Sequence, residues 1–280
     1  MTPTVQNVHE AVQEHYGQIA AGRTSSCCGP QSSCCGGGAD QDALAQALGY
    51  SAAELASIPE GANLGLSCGN PTALASLQSG EVVLDLGSGA GFDVFITAAR
   101  VGAEGHVHGV DMTKEMVGRA RQNAAAFKRR TGLANVTFHL GQIESMPVPD
   151  ASVDVVLSNC VVNLSPDQPK VWKEIARVLK PGGRVSISDL ALLRPLPEAV
   201  KADVEALVGC IAGASLLDDT LAMMGAADLA EVRAETHGDA IQALLDATDP
   251  LHQRILAMLP AGTTPADFVT SVIFSARKPG

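Results

Sequence analysis

The sequence predicts an α/β fold built on a doubly wound sheet, with a helical segment ahead of it and a smaller α/β extension behind. Three observations carry this. From Glu81 onward, short apolar runs alternate with helix-like runs, the rhythm of parallel strands joined by crossover helices. A glycine-rich turn, Asp85-Leu86-Gly87-Ser88-Gly89-Ala90-Gly91, closes the first such strand and opens the first helix. The chain is also 46% apolar but only 3% aromatic over 280 residues. That allows a sizeable core filled by Val, Ile, Leu and Ala.

The elements follow in order. Val5, Val8, Val12, Tyr16 and Ile19 recur at helical spacing, so residues 5–21 read as a helix. The stretch RTSSCCGPQSSCCGGGADQD has no apolar period and reads as a loop. Residues 41–58 read as two short helices broken near Gly49, and NLGLSCGNP turns before a helix starting near Thr72. EVVLDLG, GHVHGVD, NVTFHLG, SVDVVLSN and GRVSISDL read as five strands. Between them lie helices at GFDVFITAARVG, at 113–131 and at PDQPKVWKEIARVLK, the last stopped by Pro181-Gly182-Gly183. A helix over 197–208 and strands at AEVRAET and DFVTSVIFSARK bring the sheet to seven strands. The organisation expected is 1–74 as a helical segment with a Cys-rich loop, 75–190 as the ligand-binding core, and 191–280 completing the sheet.

The net charge of −11 leaves no excess of Lys or Arg for phosphate backbones, which argues against nucleic-acid binding. No apolar run reaches the roughly 20 residues that span a bilayer, and the first residues lack the apolar core of a signal peptide. A cytoplasmic monomer is the expectation. In a reducing compartment, those of the seven cysteines that are neither paired nor simply buried are candidates for metal binding or catalysis.

Four features point to a nucleotide-like ligand. The glycine spacing is G-x-G-x-G, and Phe92 stands where a dinucleotide fingerprint needs its last glycine. Gly87, Ser88, Gly89 and Gly91 allow the backbone to approach a ligand at a helix N-terminus. Asp111 ends the second strand, followed by Met112, and its carboxylate suits a ribose diol. Ile143 and Glu144, after the third strand, suit the edge of an adenine ring, and Asn159 ends the fourth strand over the crevice. Singly, a glycine turn is often only a turn and a strand-end Asp only a helix cap. Together, in order at four successive strand ends, they resemble the class I methyltransferase fold. The resemblance covers about residues 75–280. It implies S-adenosylmethionine as cofactor, Asp85 as a further site residue, a mostly parallel Rossmann-like sheet, and a last strand inserted antiparallel.

Cys160 follows Asn159 at the crevice rim, Cys68 lies in SCGNP and Cys210 in GCIAGA. Free cysteine often behaves as a small buried hydrophobe, and no C-x-x-C pair supports a zinc site. LGLSCGNPTAL, GVDMTKEM, VDVVLSNCVVNLSPD, RVLKPGGRVSISD and VGCIAGA are similar to the matching stretches of the arsenite S-adenosylmethionine methyltransferases. That resemblance implies that Cys68, Cys160 and Cys210 bind trivalent arsenic. It also implies a further cysteine near the N-terminus, for which Cys27, Cys28, Cys34 and Cys35 are the candidates. The implied substrate is arsenite or a thiol conjugate of it, with glutathione or a thioredoxin-like protein as reductant and detoxification as the outcome. The alternatives are a small-molecule C-, O- or N-methyltransferase, or a catalytically silent metalloid binder. His106 and His108 share one face of a strand and lack an evident third ligand, so surface or edge positions are expected for them. Asp189 reads equally as a crevice residue or a loop hydrogen-bond acceptor.

Overall fold

The computed structural model describes residues 5–23, 39–67, 69–201, 203, 211–237 and 255–280. The loop cysteines Cys27, Cys28, Cys34 and Cys35, together with Cys68 and Cys210, fall outside them, as does half of the helix expected over 197–208. The helical segment comprises α1 (Val5–Ala20), α2 (Ala39–Ala47), α3 (Ala52–Ser57) and α4 (Pro71–Leu74). Gly49 breaks α2 from α3 with φ +94°, a left-handed conformation that glycine adopts without strain. Ser51 and Glu54 then start α3 with a reciprocal capping box.

The core runs β1 (Val82–Leu86), α5 (Phe92–Val101), β2 (His106–Asp111), α6 (Lys114–Thr131), β3 (Val136–Leu140), β4 (Val153–Asn159), α7 (Gln168–Val178) and β5 (Leu179–Leu192). After α8 (Glu198–Lys201) come α9 (Leu217–Ala226), β6 (Ala230–His237) and β7 (Val269–Arg277). The seven strands lie in the order β3-β2-β1-β4-β5-β7-β6. β1 to β5 pair in parallel, and β7 inserts antiparallel between β5 and β6. Residues 191–280 thus supply the two strands that finish the sheet. Among the described residues no helix is long and apolar enough to cross a membrane.

Both faces of the central strands β1, β4 and β5 are covered, which is why they read as nearly continuous apolar runs, whereas β6 at the edge is largely exposed. Alternation along β1 sends Val83 to a layer with Phe95, Ile96 and Phe127, and Leu84 to one with Trp172 and Ile175. The structure departs from the sequence pattern at two places. The chain leaves α7 at Val178 rather than at Lys180, because Leu179 already pairs with Val153. The helix α9 was not separated in the sequence, where its apolar period is weak; it packs through Met224 onto the Trp172 layer.

A third apolar cluster sits at the carboxyl ends of the strands. It joins Val8 and Val12 of α1 to Cys160, Leu164, Leu190, Ile211 and Phe268. The order of winding reverses between β1 and β4, and open sheets of this kind bind ligands outside that point.

Candidate active site

The glycine turn is built by close approach. Gly87 has φ +63°, and a Cβ there would lie 2.3 Å from Val161 Cγ2. Gly89 has φ +51°, with nothing nearer to such a Cβ than Met116 Sδ at 4.0 Å. The Gly89 N–H donates to Asp111 Oδ2 at 2.9 Å, and the Thr113 N–H to Asp111 Oδ1 at 2.7 Å. The loop and the end of β2 are therefore tied through one carboxylate.

Beside this turn lies a cleft of about 700 Å³. Gly87, Gly89, Asp111, Met112, Ile143, Glu144 and Asn159 line it, with Cys160 at its rim. A neighbouring recess of about 460 Å³ shares Gly87, Gly89 and Asn159 and reaches Asp85, Ser88 and Asp93. Gly91 lines neither. It caps α5 with φ +97°, and a Cβ there would collide with Phe95 and Phe138 at 2.6 and 2.9 Å, so its geometry serves helix packing.

The electrostatics favour a cation. Burial raises the pKa of Asp85 well above the usual carboxylate range, helped by the charges of Asp93 and Asp111. Burial also lifts Asp93 to about 6, against hydrogen bonds from Tyr50 and Asn159, and raises Asp111 against its backbone donors. Among the described residues no hydrogen bond reaches the Asp85 carboxylate, and the buried Ser88 hydroxyl has no partner. Three crowded acids and an unsatisfied hydroxyl under a glycine cradle fit a ligand with positive charge and polar groups, as the sulfonium and ammonium of S-adenosylmethionine would supply.

Cys160 is buried, disulfide-bonded, and strained at φ +56°, a conformation that costs a non-glycine residue about 1–2 kcal/mol. Its N–H donates to the Ser188 carbonyl at 2.8 Å. The turn after it is set by Asp189, which accepts from the Asn163 side chain at 2.8 Å and the Asn163 and Leu190 N–H groups at 3.2 and 2.8 Å. Asp189 is thus a loop acceptor, with its pKa lifted by burial to about 7.

The residues next to Cys68 and Cys210 reach the same place. Gly69 lies against Ser188 so closely that a Cβ on it would sit 2.1 Å from Ser188 Oγ. Asn159 donates to the Gly69 carbonyl at 2.9 Å and to Asp93 Oδ2 at 3.1 Å, and the Tyr50 hydroxyl donates to Asp93 Oδ1 at 2.7 Å. Ile211 packs in one cluster with Cys160 and Leu164. A backbone neighbour of Cys68 therefore meets Asn159 and Ser188 beside Cys160, and the neighbour of Cys210 belongs to the apolar cluster that contains Cys160.

Three contributions were not read from the sequence. His9, Val12 and Tyr16 of α1 form the outer wall of the cleft. Tyr50 and Asp93 anchor the loop before the core, and Ser188 stands between the cysteine-bearing segments. His106 and His108 are partly exposed, and His139 joins them, its Nε2 lying 3.1 Å from His108 Nδ1. Among the described residues no group of three metal-ligating side chains could hold an ion.

Comparison with known proteins agrees with this geometry. A family model described as a methyltransferase domain matches residues 77–246. An arsenite methyltransferase of Halobacterium salinarum is 42% identical over 98% of this chain, which spans 67% of that protein. One from Aquipseudomonas alcaligenes is 38% identical over 76% of this chain, and the match spans 59% of that protein. The crystal structure of an arsenic(III) S-adenosylmethionine methyltransferase from Chlamydomonas reinhardtii matches with a TM-score of 0.60 at 31% identity, covering 85% of this chain and 73% of that one.

Proposed function

Because the chain belongs to the arsenite methyltransferase family, we propose that it holds trivalent arsenic on the thiolates of Cys68, Cys160 and Cys210 and methylates it there. S-adenosylmethionine is the cofactor; when bound, it supplies an electrophilic methyl on a sulfonium and departs as a neutral thioether. The observation that carries the reading is the meeting of Cys160 with Gly69 at Ser188, directly beside the cleft. Soft thiolates suit a soft metalloid. An arsenic so held keeps a lone pair and no proton, so the new As–C bond takes its electrons from arsenic while the C–S pair returns to sulfur. No general base is required.

The protein's own residues then work by placement. Gly87 and Gly89 let the backbone close on the ligand, Asp111 offers acceptors for a ribose diol, and Ile143 and Glu144 flank the adenine. The buried acids Asp85 and Asp93 complement the positive charge of the amino-acid end. Asn159, tied to Gly69 and Asp93, fixes the Cys68 loop relative to the cleft. Holding two reactants in a near-attack arrangement is worth roughly 7–11 kcal/mol.

Cys160 is in a disulfide, and a thiol reductant such as glutathione or a thioredoxin-like protein returns it to the thiolate that arsenic needs. That requirement suits a cytoplasmic setting. Arsenite binding tests the site directly. The reduced protein should bind one arsenite per chain in the three-cysteine site, and Cys160→Ser should bind it at least tenfold more weakly while still binding S-adenosylhomocysteine. Equal arsenite affinity in Cys160→Ser would overturn the thiolate assignment.

A further inference from the structure

Glu144 is buried at the end of the cleft next to Ile143, and both of its hydrogen bonds fall on one oxygen. The Ser165 hydroxyl donates to Oε1 in a very short contact. His9 Nε2 reaches the same Oε1 at 3.0 Å, across 135 residues of sequence. Gln142 Nε2 lies 3.2 Å from His9 Nδ1. An amide N–H can only donate, so Nδ1 is the acceptor and Nε2 carries the hydrogen that points at Glu144. Among the described residues no hydrogen bond falls on Oε2. One carboxylate oxygen is therefore pinned by two donors while its twin is left for a ligand.

We propose that His9 is a positioning residue that sets the base specificity of the cofactor site, by holding Glu144 so that Oε2 meets the exocyclic amino group of adenine. The proposal rests on the reading that the cleft takes S-adenosylmethionine. An amino group is a donor and matches a carboxylate oxygen; the carbonyl of a hypoxanthine ring at the same place would meet it as two acceptors. His9 belongs to α1, which is otherwise held by Gln13 on the Met112 carbonyl, by Arg119 on the Ala20 carbonyl and by burial of Val8 and Val12. Those contacts keep the helix in place when His9 is changed, so the histidine's share can be isolated.

The test measures dissociation constants of S-adenosylhomocysteine and S-inosylhomocysteine for the full chain and its variants. The wild type is expected to prefer the adenosyl ligand. His9→Ala should weaken the adenosyl ligand about tenfold, the worth of one hydrogen bond to a charged group, and weaken the inosyl ligand much less. His9→Gln, which keeps an N–H donor, should restore part of the preference, and the His9→Ala defect should fall on KM for S-adenosylmethionine rather than on kcat. An unchanged preference in His9→Ala, or no recovery in His9→Gln, would overturn the proposal. Asp111→Asn is the control on the underlying reading. If it binds both ligands as the wild type does, the cleft assignment fails; if it weakens both while His9→Ala keeps the preference, only the role of His9 fails.

Discussion

Gly87→Ala places a methyl group where the fold has no room for one. The residue sits at φ +63°, and the added Cβ would lie 2.3, 2.6 and 2.9 Å from Cγ2, Cγ1 and Cβ of Val161. The left-handed backbone alone costs an alanine about 1–2 kcal/mol. Displacing a packed side chain adds about 1–3 kcal/mol, and Val161 moves only with its neighbour Cys160, whose N–H is bound to Ser188. The total is about 2–5 kcal/mol, or a Tm lower by about 6–15 °C at roughly 3 °C per kcal/mol. Gly89→Ala is the matched comparison. Its φ is +51°, but its Cβ meets nothing nearer than Met116 Sδ at 4.0 Å. It should lose only about 1–2 kcal/mol while obstructing the cleft it lines, so its main effect falls on S-adenosylhomocysteine affinity. Chemical denaturation and calorimetric binding separate the two. Combining Gly87→Ala with Val161→Ala removes the two nearer of the three colliding atoms and should recover much of the packing part of the loss, a non-additive result expected of neighbours in contact. A loss below about 1 kcal/mol for Gly87→Ala, or a double variant whose loss is the plain sum of the singles, would mean that Val161 does not crowd this position.

Two further outcomes follow from the buried charges. Asp85 and Asp93 are raised by burial, Asp93 to about 6, so a bound cation should lower both and drive protons off. Titration of S-adenosylmethionine near neutral pH should give an apparent enthalpy that varies with the ionisation heat of the buffer, showing net proton release; S-adenosylhomocysteine, lacking the sulfonium, should release less. Equal enthalpies in all buffers would contradict this. His108 is depressed to about 4, first by burial and then by the neighbouring His106 and His139. The unfolded chain therefore takes up this proton before the folded one does. The contribution to stability is full above the ordinary histidine range and is lost as pH falls from about 6.5 toward 4. His108→Gln should flatten the fall of unfolding free energy over that interval, and an unchanged slope would count against it.

What the sequence disclosed and what it withheld divide along sequence distance. The strands of the core were legible because each is a short apolar run ended by Gly, Asp or Asn. The G-x-G-x-G turn was legible because its geometry is local: Gly87 and Gly89 are needed for backbone conformations decided within a few residues. The outer wall of the cleft was not. The period of α1 announced a helix, but nothing in Val5–Ala20 says that His9 meets Glu144 or that Val12 covers the cleft, because those partners lie far along the chain. The Tyr50–Asp93–Asn159 network was hidden for the same reason. Asp189 could be weighed but not decided, since a strand-end carboxylate serves a ligand or a loop equally well; Asn163 and Leu190 decide it. The left-handed backbone of Cys160 has no sequence signature at all, because cysteine carries no preference for it.

We propose that arsenic bound by three cysteine thiolates is the methyl acceptor. A methyl-transfer assay tests it most directly, with purified protein, S-adenosylmethionine, excess thiol and arsenite, and with methylated arsenic species resolved by mass. Methylated product is expected from the wild-type chain, at least a hundredfold less from Cys68→Ser, Cys160→Ser and Cys210→Ser, and retained S-adenosylhomocysteine binding in all three. Product formed by Cys160→Ser at the wild-type rate would contradict it.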